Sequence, residues 1–262
     1  MLVIDRLGKE LRDEVRRRFP WATVQKAEST ATIPEMRAVA FQHASGRAVA
    51  VIEDHVLVQP GWGRRIVDAL TSGTDVIGGP IENAATDSLI DWGAFLCEYS
   101  QCIPPLPAGV AGWLPGNNVA YRSELLEHQR KTVEAGHWEG LLHQKLQSEG
   151  IELQCSPALV VLHRKHYTFL EYLEQRYLYS RSFAGTRVTT ASPAKRFVFG
   201  LAALALPPIL LYRIGRQVLM KKRHRLEFLM CLPLIGVFVC AWAWGETVGY
   251  WFGSGTSMSR VC

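Results

Sequence analysis

The segment "AVAVIEDHVLVQPGW", residues 48–62, decides which fold the sequence predicts. Its apolar beginning, Ala48 to Ile52, has the composition of a buried strand. Glu53, Asp54 and His55 follow directly, although acidic residues are rare in strands and adjacent like charges cost free energy unless something offsets them. Either a bound group or solvent must offset the charges at such a strand end.

Glu53 and His55 are two residues apart, and such side chains share one face of a strand. A carboxylate and an imidazole that point together form a plausible ligand set for a divalent metal such as Mn²⁺. A metal in this position could neutralise a diphosphate. The alternative, equally open from the spacing alone, is a solvated strand end at which His55 caps the next turn.

Strands and helices alternate along residues 1–192. Besides 48–52, we predict strands near residues 2–4, 22–24, 75–79 and 151–162, and helices near 10–19, 34–44, 62–72, 138–149 and 167–183. This alternation predicts an α/β domain with a mostly parallel, Rossmann-like sheet flanked by helices. Ligands bind at the carboxyl ends of the strands in such sheets, which is where Glu53 to His55 lie. The Pro- and Gly-rich residues 103–116 are predicted to form a loop or lid near that site.

Three further groups of residues could carry chemistry, and each has a structural alternative. Asn117 and Asn118 suit sugar hydroxyls, although Gly-Asn is also ordinary turn chemistry. Glu139 lies at or near the N-terminus of a predicted helix and could act as a general base, although carboxylates are also favoured at helix N-termini. His163 ends the strand "ALVVLH", residues 158–163, and could be functional, although a lone histidine is more often structural. The spacing alone leaves each alternative open.

The composition limits the class of protein. The 262 residues carry a net charge of +5, and eight Lys and Arg residues lie between 195 and 225, where there is no acid. This basic patch lies beside apolar segments, which favours a partner of anionic lipid over nucleic acid, and no helix-turn-helix or zinc-finger spacing occurs. Six cysteines without a CxxC pair indicate free thiols in a reducing compartment.

Residues 193–262 are predicted to form a membrane-associated C-terminal region. The stretch 228–245 is uncharged and just long enough to cross a bilayer, whereas 197–212 is shorter and contains Pro207-Pro208. We predict that 228–245 is a span and that 197–212 is a re-entrant or spanning segment bent at the prolines. The basic residues 213–225 are predicted to lie at the cytoplasmic lipid surface, as the positive-inside rule favours. The alternative is a two-helix hairpin buried in a soluble core.

The order and spacing of these groups resemble the A-type fold of family 2 glycosyltransferases over about residues 1–190. "VIEDHVLVQPGWGRRIVDAL" (51–70) resembles the family's metal-binding strand and the helix after it, with Glu53-Asp54-His55 at the Asp-x-Asp position. "LPGNNVAYRSELL" (114–126) resembles the glycine–Asn–Ala–Arg segment, with Arg122 in the basic place. "HWEGLLHQKLQSEGIEL" (137–153) resembles the acceptor-side segment, and "VVLHRKHYTFLEYLEQRYLYSRSFA" (160–184) resembles the stretch with the late histidine.

The resemblance implies transfer of a sugar from a nucleoside-diphosphate sugar. It implies a divalent metal, Mn²⁺ or Mg²⁺, held by Glu53, Asp54, His55 and His163, and it implies Glu139 as the catalytic base. The residues that would contact the donor or the acceptor are Asp5, Arg37, Gly116, Asn117, Asn118, Arg122 and Trp138.

Two departures from the family pattern define the alternatives. The chain begins one strand later than family members usually do, so the first nucleotide-binding strand is predicted to be missing, and Gly140 replaces the usual Asp after the catalytic Glu. The leading hypothesis is a metal-dependent, inverting glycosyltransferase at a bacterial plasma membrane, with a cytoplasmic catalytic domain. Its acceptor would be lipid-linked or a saccharide, in cell-surface polysaccharide or glycolipid synthesis. The alternative is a degenerate, non-catalytic member that binds a partner.

Overall fold

The computed structural model describes residues 1–135 and 138–261 and shows a mixed α/β fold. Its strands are β1 (Leu2–Asp5), β2 (Thr23–Lys26), β3 (Ala48–Val51), β4 (Val56–Val58), β5 (Val76–Gly78), β6 (Ile81–Asn83), β7 (Gly109–Ala111), β8 (Val119–Arg122), β9 (Leu153–Cys155) and β10 (Val161–His163). Its helices are α1 (Lys9–Arg18), α2 (Ile33–His43), α3 (Trp62–Thr71), α4 (Leu89–Tyr99), α5 (Ser123–His128), α6 (Arg130–Glu134), α7 (Glu139–Ser148), α8 (Phe169–Arg187), α9 (Pro193–Ala203), α10 (Leu206–Lys221) and α11 (Arg225–Phe252).

The chain forms two compact units. The first contains Met1–Pro80 and Leu106–Val161, and the second contains Ile81–Pro105 and the chain from Leu162 onward. Residues 81–105 and 162–192, which were predicted as part of the α/β domain, therefore pack with the C-terminal helices.

A five-stranded sheet organises the first unit, in the order β3-β8-β5-β9-β7. Strand β8 runs antiparallel to both β3 and β5, β5 and β9 are parallel, and β7 is antiparallel to β9. The prediction of a mostly parallel sheet is therefore wrong for this sheet. The physical reason is that β8 returns from a long connection and inserts between β3 and β5, which alternation of elements along the chain does not reveal. Strands β1 and β2 form a separate parallel pair.

Helices cover both faces of the sheet because successive side chains of a strand point to opposite sides. Val119 and Tyr121 of β8 pack in one apolar cluster with Leu142 and Leu146 of α7. Ala120, between them, packs in the other cluster with residues of α3 such as Ile66. The core of the first unit thus fixes β8 between α7 and α3.

Two predicted segments differ from the structure. Residues 103–116 are not a free lid throughout, since β7 forms the edge of the sheet and Leu114 is 2% exposed in the core. Residues 151–162 form two strands rather than one, because the chain turns after β9 and Leu159 N donates to Ser156 O at 3.0 Å. An apolar pattern alone does not show where such a run is interrupted.

In the second unit, β6 neighbours β10, and α11 packs along α8, α4, α9 and α10. Among the described residues, α11 is the one helix that is long and apolar enough to cross a bilayer alone. Helices α9 and α10 meet this criterion only as a pair, which is bent by 54°. The bend falls between α9 and α10, just before Pro207-Pro208 and close to its predicted position. Both prolines lie in the first turn of α10, where a backbone N–H has no helical partner.

Candidate active site

Glu53 and His55 lie on a turn after β3, not on the strand itself. The strand ends at Val51, and Val56 N donates to Glu53 O at 3.0 Å to close the turn. The two side chains therefore do not share a strand face, and this part of the prediction is wrong. They do meet, however, since Glu53 Oε2 and His55 Nε2 are 3.1 Å apart.

The Glu53–His55 pair fits a divalent ion. Two ligand atoms at a right angle, each about 2.1 Å from an ion of octahedral geometry, lie about 3 Å apart. The other ring nitrogen, His55 Nδ1, is 2.9 Å from Asp54 Oδ1, and the Asp54 side chain is 92% exposed. A carboxylate at the second nitrogen is the usual partner of a metal-binding histidine because it fixes the tautomer and the ring orientation. The geometry thus favours Asp54 as the group that orients His55.

Arg37 joins the predicted metal ligand to the predicted base. The capping box of Thr32 and Glu35 starts α2, which carries Arg37 on its second turn. Arg37 Nη2 donates to Glu53 Oε1 at 2.6 Å, and Arg37 Nη1 pairs with Glu139 Oε2. Burial lowers the pKa of Arg37, but the two carboxylates outweigh it and raise the pKa above its ordinary value. Arg37 therefore stays charged between two acids.

Glu139 is the first residue of α7 and is 7% exposed. Apolar side chains of Pro34, Phe41 and Leu142 line the small cleft that Glu139 shares with Arg37. Burial raises the pKa of Glu139 above its ordinary value, and the neighbouring Arg37 opposes this shift. A buried carboxylate with a raised pKa is suited to accept a proton near neutral pH. A helix N-terminus also favours a carboxylate, so position and chemistry agree here.

The loop before β8 carries two predicted residues, Asn117 and Asn118, and brings one of them to Glu53. Asn117, which is 3% exposed, donates through Nδ2 to Glu53 Oε2 at 3.3 Å. The Asn118 amide stabilises the surrounding backbone. Its Nδ2 donates to Pro80 O at 3.0 Å and to Leu159 O at 2.7 Å, and its Oδ1 accepts from Trp62 Nε1 at 3.1 Å. The two adjacent amides therefore differ in what they can do, because only Asn117 faces the carboxylate of Glu53.

Gly116 lies against the ion pair of Arg37 and Glu139. A Cβ atom at this position would lie 2.5 Å from Glu139 Oε2 and 3.0 Å from Arg37 Nη1. Only glycine lets the loop approach so closely.

We expect Gly116→Ala to lower the free energy of unfolding by about 1–3 kcal/mol, because the added methyl group must displace the ion pair or the loop. Urea denaturation of both proteins measures the effect. Gly112→Ala is the matched control, since a Cβ there meets no atom within 4 Å. Equal urea midpoints for the two variants would contradict the tight contact at Gly116.

Two other predicted residues, Asp5 and Arg122, have partners outside this group. Asp5 accepts hydrogen bonds from Leu7 N at 2.9 Å and Arg12 Nη1 at 2.9 Å, so its carboxylate organises the start of α1. Arg122 pairs with Asp75 at 3.3 Å and lies opposite Ala48, whereas Val119 lies opposite Val51. Three residues of strand separate Arg122 from that end of β3, which is about 10 Å. The role of Arg122 in binding the donor or the acceptor therefore stays a prediction.

Trp138 lies beside Arg37, with Arg37 Cζ 5.9 Å from the ring centroid. His163 belongs to the second unit, is 3% exposed, and lies against Tyr99 with ring centroids 4.7 Å apart. Its assignment as a metal ligand stays a prediction. His137, which precedes Trp138 in the acceptor-side segment, lies outside the described residues.

A buried polar pair, Tyr121 and His143, was not predicted from the sequence. Tyr121 Oη is 2.8 Å from His143 Nε2, and both side chains are at most 2% exposed. Burial lowers the pKa of His143 to about 4 and raises the pKa of Tyr121, so both are neutral near pH 7. The available signal was spacing, since Glu139 and His143 are four residues apart and share one face of α7.

Comparisons with known proteins give structural likenesses only. No protein-family model matches the sequence, and no curated protein matches it. A mannosyltransferase, PcManGT from Pyrobaculum calidifontis in complex with GDP-Man and Mn²⁺, is similar with a TM-score of 0.46 and 15% identity, over 90% of this chain and 75% of that chain. TarS 1–349 from S. aureus is similar with a TM-score of 0.44 and 10% identity, over 94% and 80% of the two chains. Likeness at this level does not identify an activity.

Proposed function

We propose that the protein is a metal-dependent, inverting glycosyltransferase that uses a nucleoside-diphosphate sugar. The observation that carries the proposal is the network around Arg37, which brings Glu53 and Glu139 to one guanidinium although they are far apart in sequence. A predicted metal ligand and a predicted base are thereby joined in one partly buried group. Such an arrangement suits displacement of a diphosphate by an activated hydroxyl.

Glu53 and His55 would hold Mn²⁺ or Mg²⁺, with Asp54 orienting His55, and His163 remains the further predicted ligand. A divalent ion neutralises the developing charge of a leaving diphosphate, and such ions are often held by one or two protein carboxylates plus substrate phosphates. Asn117 would keep the Glu53 carboxylate in place from the other side. The proposed task of these residues is to bind and orient the donor.

Glu139 would accept the proton of the acceptor hydroxyl, whose oxygen then attacks the anomeric carbon from the face opposite the leaving group. Arg37 would hold the Glu139 carboxylate in position and would keep it from accepting a proton too early. Gly116 would allow the loop to approach the Arg37–Glu139 pair closely, and Trp138 would shield this pair from solvent.

We also propose that the acceptor is lipid-linked or a saccharide, at the cytoplasmic face of a bacterial plasma membrane.

The test is turnover of a panel of uridine-, guanosine- and thymidine-diphosphate sugars by the purified chain with Mn²⁺, measured as released nucleoside diphosphate. We expect at least one donor to be consumed, and EDTA to stop the reaction. Metal-dependent nucleotide binding without turnover would favour the non-catalytic alternative. Neither turnover nor metal-dependent binding across the panel would overturn the proposal.

A further inference from the structure

Helix α8 places charges beside the middle of α11. Tyr172 of α8 packs on Phe238 of α11 with ring centroids 4.6 Å apart, and Phe238 lies near the centre of the uncharged run 228–245. Glu171 and Glu174, on the same turn of α8 as Tyr172, are both exposed. If α11 were centred in a bilayer, these carboxylates would lie at hydrocarbon depth, where charged side chains are strongly disfavoured.

The two helices cannot easily separate, because small residues bring their backbones into contact. A Cβ atom on Gly245 would lie 2.5 Å from Tyr177 O, and one on Gly249 would lie 2.5 Å from Arg181 O. The charges of α8 therefore stay at the level of α11.

Both ends of α11 are held by polar groups of the same unit. Before the helix, Arg223 Nη2 and His224 Nε2 are 2.6 and 2.7 Å from the carboxylate oxygens of Glu82. After it, Gly253 O accepts from Arg181 Nε at 3.2 Å. A spanning helix would have about 30 Å of hydrocarbon between its ends. In this unit, charged residues lie at both ends of α11 and beside its middle, near Phe238.

The C-terminal helices nevertheless expose much apolar surface. Of the thirty exposed large hydrophobic residues in the described part of the chain, fifteen lie between Phe197 and Phe252. Tyr212 of α10 and Leu226 of α11 are 70% and 67% exposed. Surface of this extent marks an interaction site.

Cations accompany the part of this apolar surface that α9 and α10 form, and no acid lies among them. Residues 175–226 contain no Asp or Glu. Lys195, Arg213, Arg216 and Lys222 are exposed there. An anionic lipid surface complements this combination, because it offers negative headgroups above an apolar interior.

We propose that the second unit binds one leaflet of an anionic bilayer through α9, α10 and α11, and that α11 does not cross the membrane. The exposed apolar side chains enter the interface, while α8 and its carboxylates stay on the water side. This differs from the sequence prediction of a span at 228–245. It does not depend on the proposed glycosyltransferase activity.

The first experiment is flotation of the purified full chain with phosphatidylcholine vesicles that contain or lack phosphatidylglycerol. We expect binding only to the anionic vesicles, and at least about tenfold weaker binding for the double variant Arg213→Glu with Arg216→Glu. The control is Arg64→Glu with Arg65→Glu, two exposed cations of the first unit. Equal binding to both kinds of vesicle, or none, would overturn the proposal.

The second experiment decides between one leaflet and a span. Single cysteines are introduced at the two ends of the helix, as Arg225→Cys or Thr256→Cys, in a chain that carries Cys240→Ser and Cys262→Ser. Membranes of an expression host are then labelled with an impermeant maleimide in intact cells and in inverted vesicles. We expect both positions to react from the same side. Reaction from opposite sides would establish a span and overturn the proposal.

Discussion

Replacing the buried acid by its amide, Glu139→Gln, is expected to lower sugar transfer by about 100- to 10,000-fold, the usual contribution of a general base. The amide keeps the size of the side chain and can still contact Arg37, but it cannot accept a proton. Binding of Mn²⁺ and of the donor should change little, since Glu53 and His55 are untouched. Turnover of the best donor from the panel and calorimetric titration of Mn²⁺ measure the two effects separately.

Glu149→Gln is the matched control, because Glu149 follows the same helix but is exposed. It should leave turnover within a factor of about two of the parent, as surface substitutions usually do. If Glu139→Gln were equally harmless, Glu139 would not be the base.

The pH dependence provides a second readout for Glu139. Burial raises its pKa above the ordinary value of 4.5, so activity should fall as the pH drops through that raised value. The free energy of unfolding depends on pH in the opposite direction from that of a carboxylate whose pKa is lowered by folding. The protonated form is favoured in the folded protein, so its contribution is complete below about 4.5 and is lost as the pH rises through the folded pKa. Urea denaturation across this range should therefore show the Gln variant gaining stability relative to the parent.

Removing the imidazole, His55→Ala, is expected to weaken Mn²⁺ binding by more than about 100-fold. Loss of an outer partner of a metal ligand alone costs about 10- to 100-fold, and loss of a ligand should cost more. Asp54→Asn should fall within that smaller range, because Asp54 Oδ1 contacts His55 Nδ1. Calorimetry with Mn²⁺ alone measures both affinities and needs no knowledge of the donor.

His43→Ala is the control for this pair, since His43 is exposed at the end of α2. It should leave the affinity unchanged. An unchanged affinity for His55→Ala would refute the metal site. A larger loss for Asp54→Asn than for His55→Ala would make Asp54 the ligand and His55 its partner.

Local features of this chain were accessible from the sequence. Most helices and strands of the first unit lie where periodicity and turn residues predicted them, because hydrogen bonding and burial impose a period on each element separately. Glu53 and His55 were predicted to meet, and they do, because two residues of chain keep them close in a turn as well as in a strand. The two side chains were expected to meet on a strand face and instead meet on a turn. Because they are only two residues apart, they are close in either conformation.

The role of each amide and arginine was not accessible in the same way. Asn117 and Asn118 are adjacent, yet one faces Glu53 and the other holds backbone carbonyls of Pro80 and Leu159. From the sequence, Arg37 and Arg122 were both predicted to contact the donor or the acceptor, and nothing in the sequence distinguished them. The register of β8 against β3 places Arg122 at the far end of the strand pair.

The sequence by itself therefore determined most elements of the first unit, the meeting of Glu53 with His55 and the basic, apolar C-terminal region. Only the tertiary structure decided that β8 inserts antiparallel between β3 and β5, and that Arg37 meets both Glu53 and Glu139. The physical reason is the sequence separation of the residues that interact. Propensity and spacing constrain residues within a turn or a strand of one another, whereas strand order and the meeting of Arg37 with Glu139 depend on the packing of the whole core.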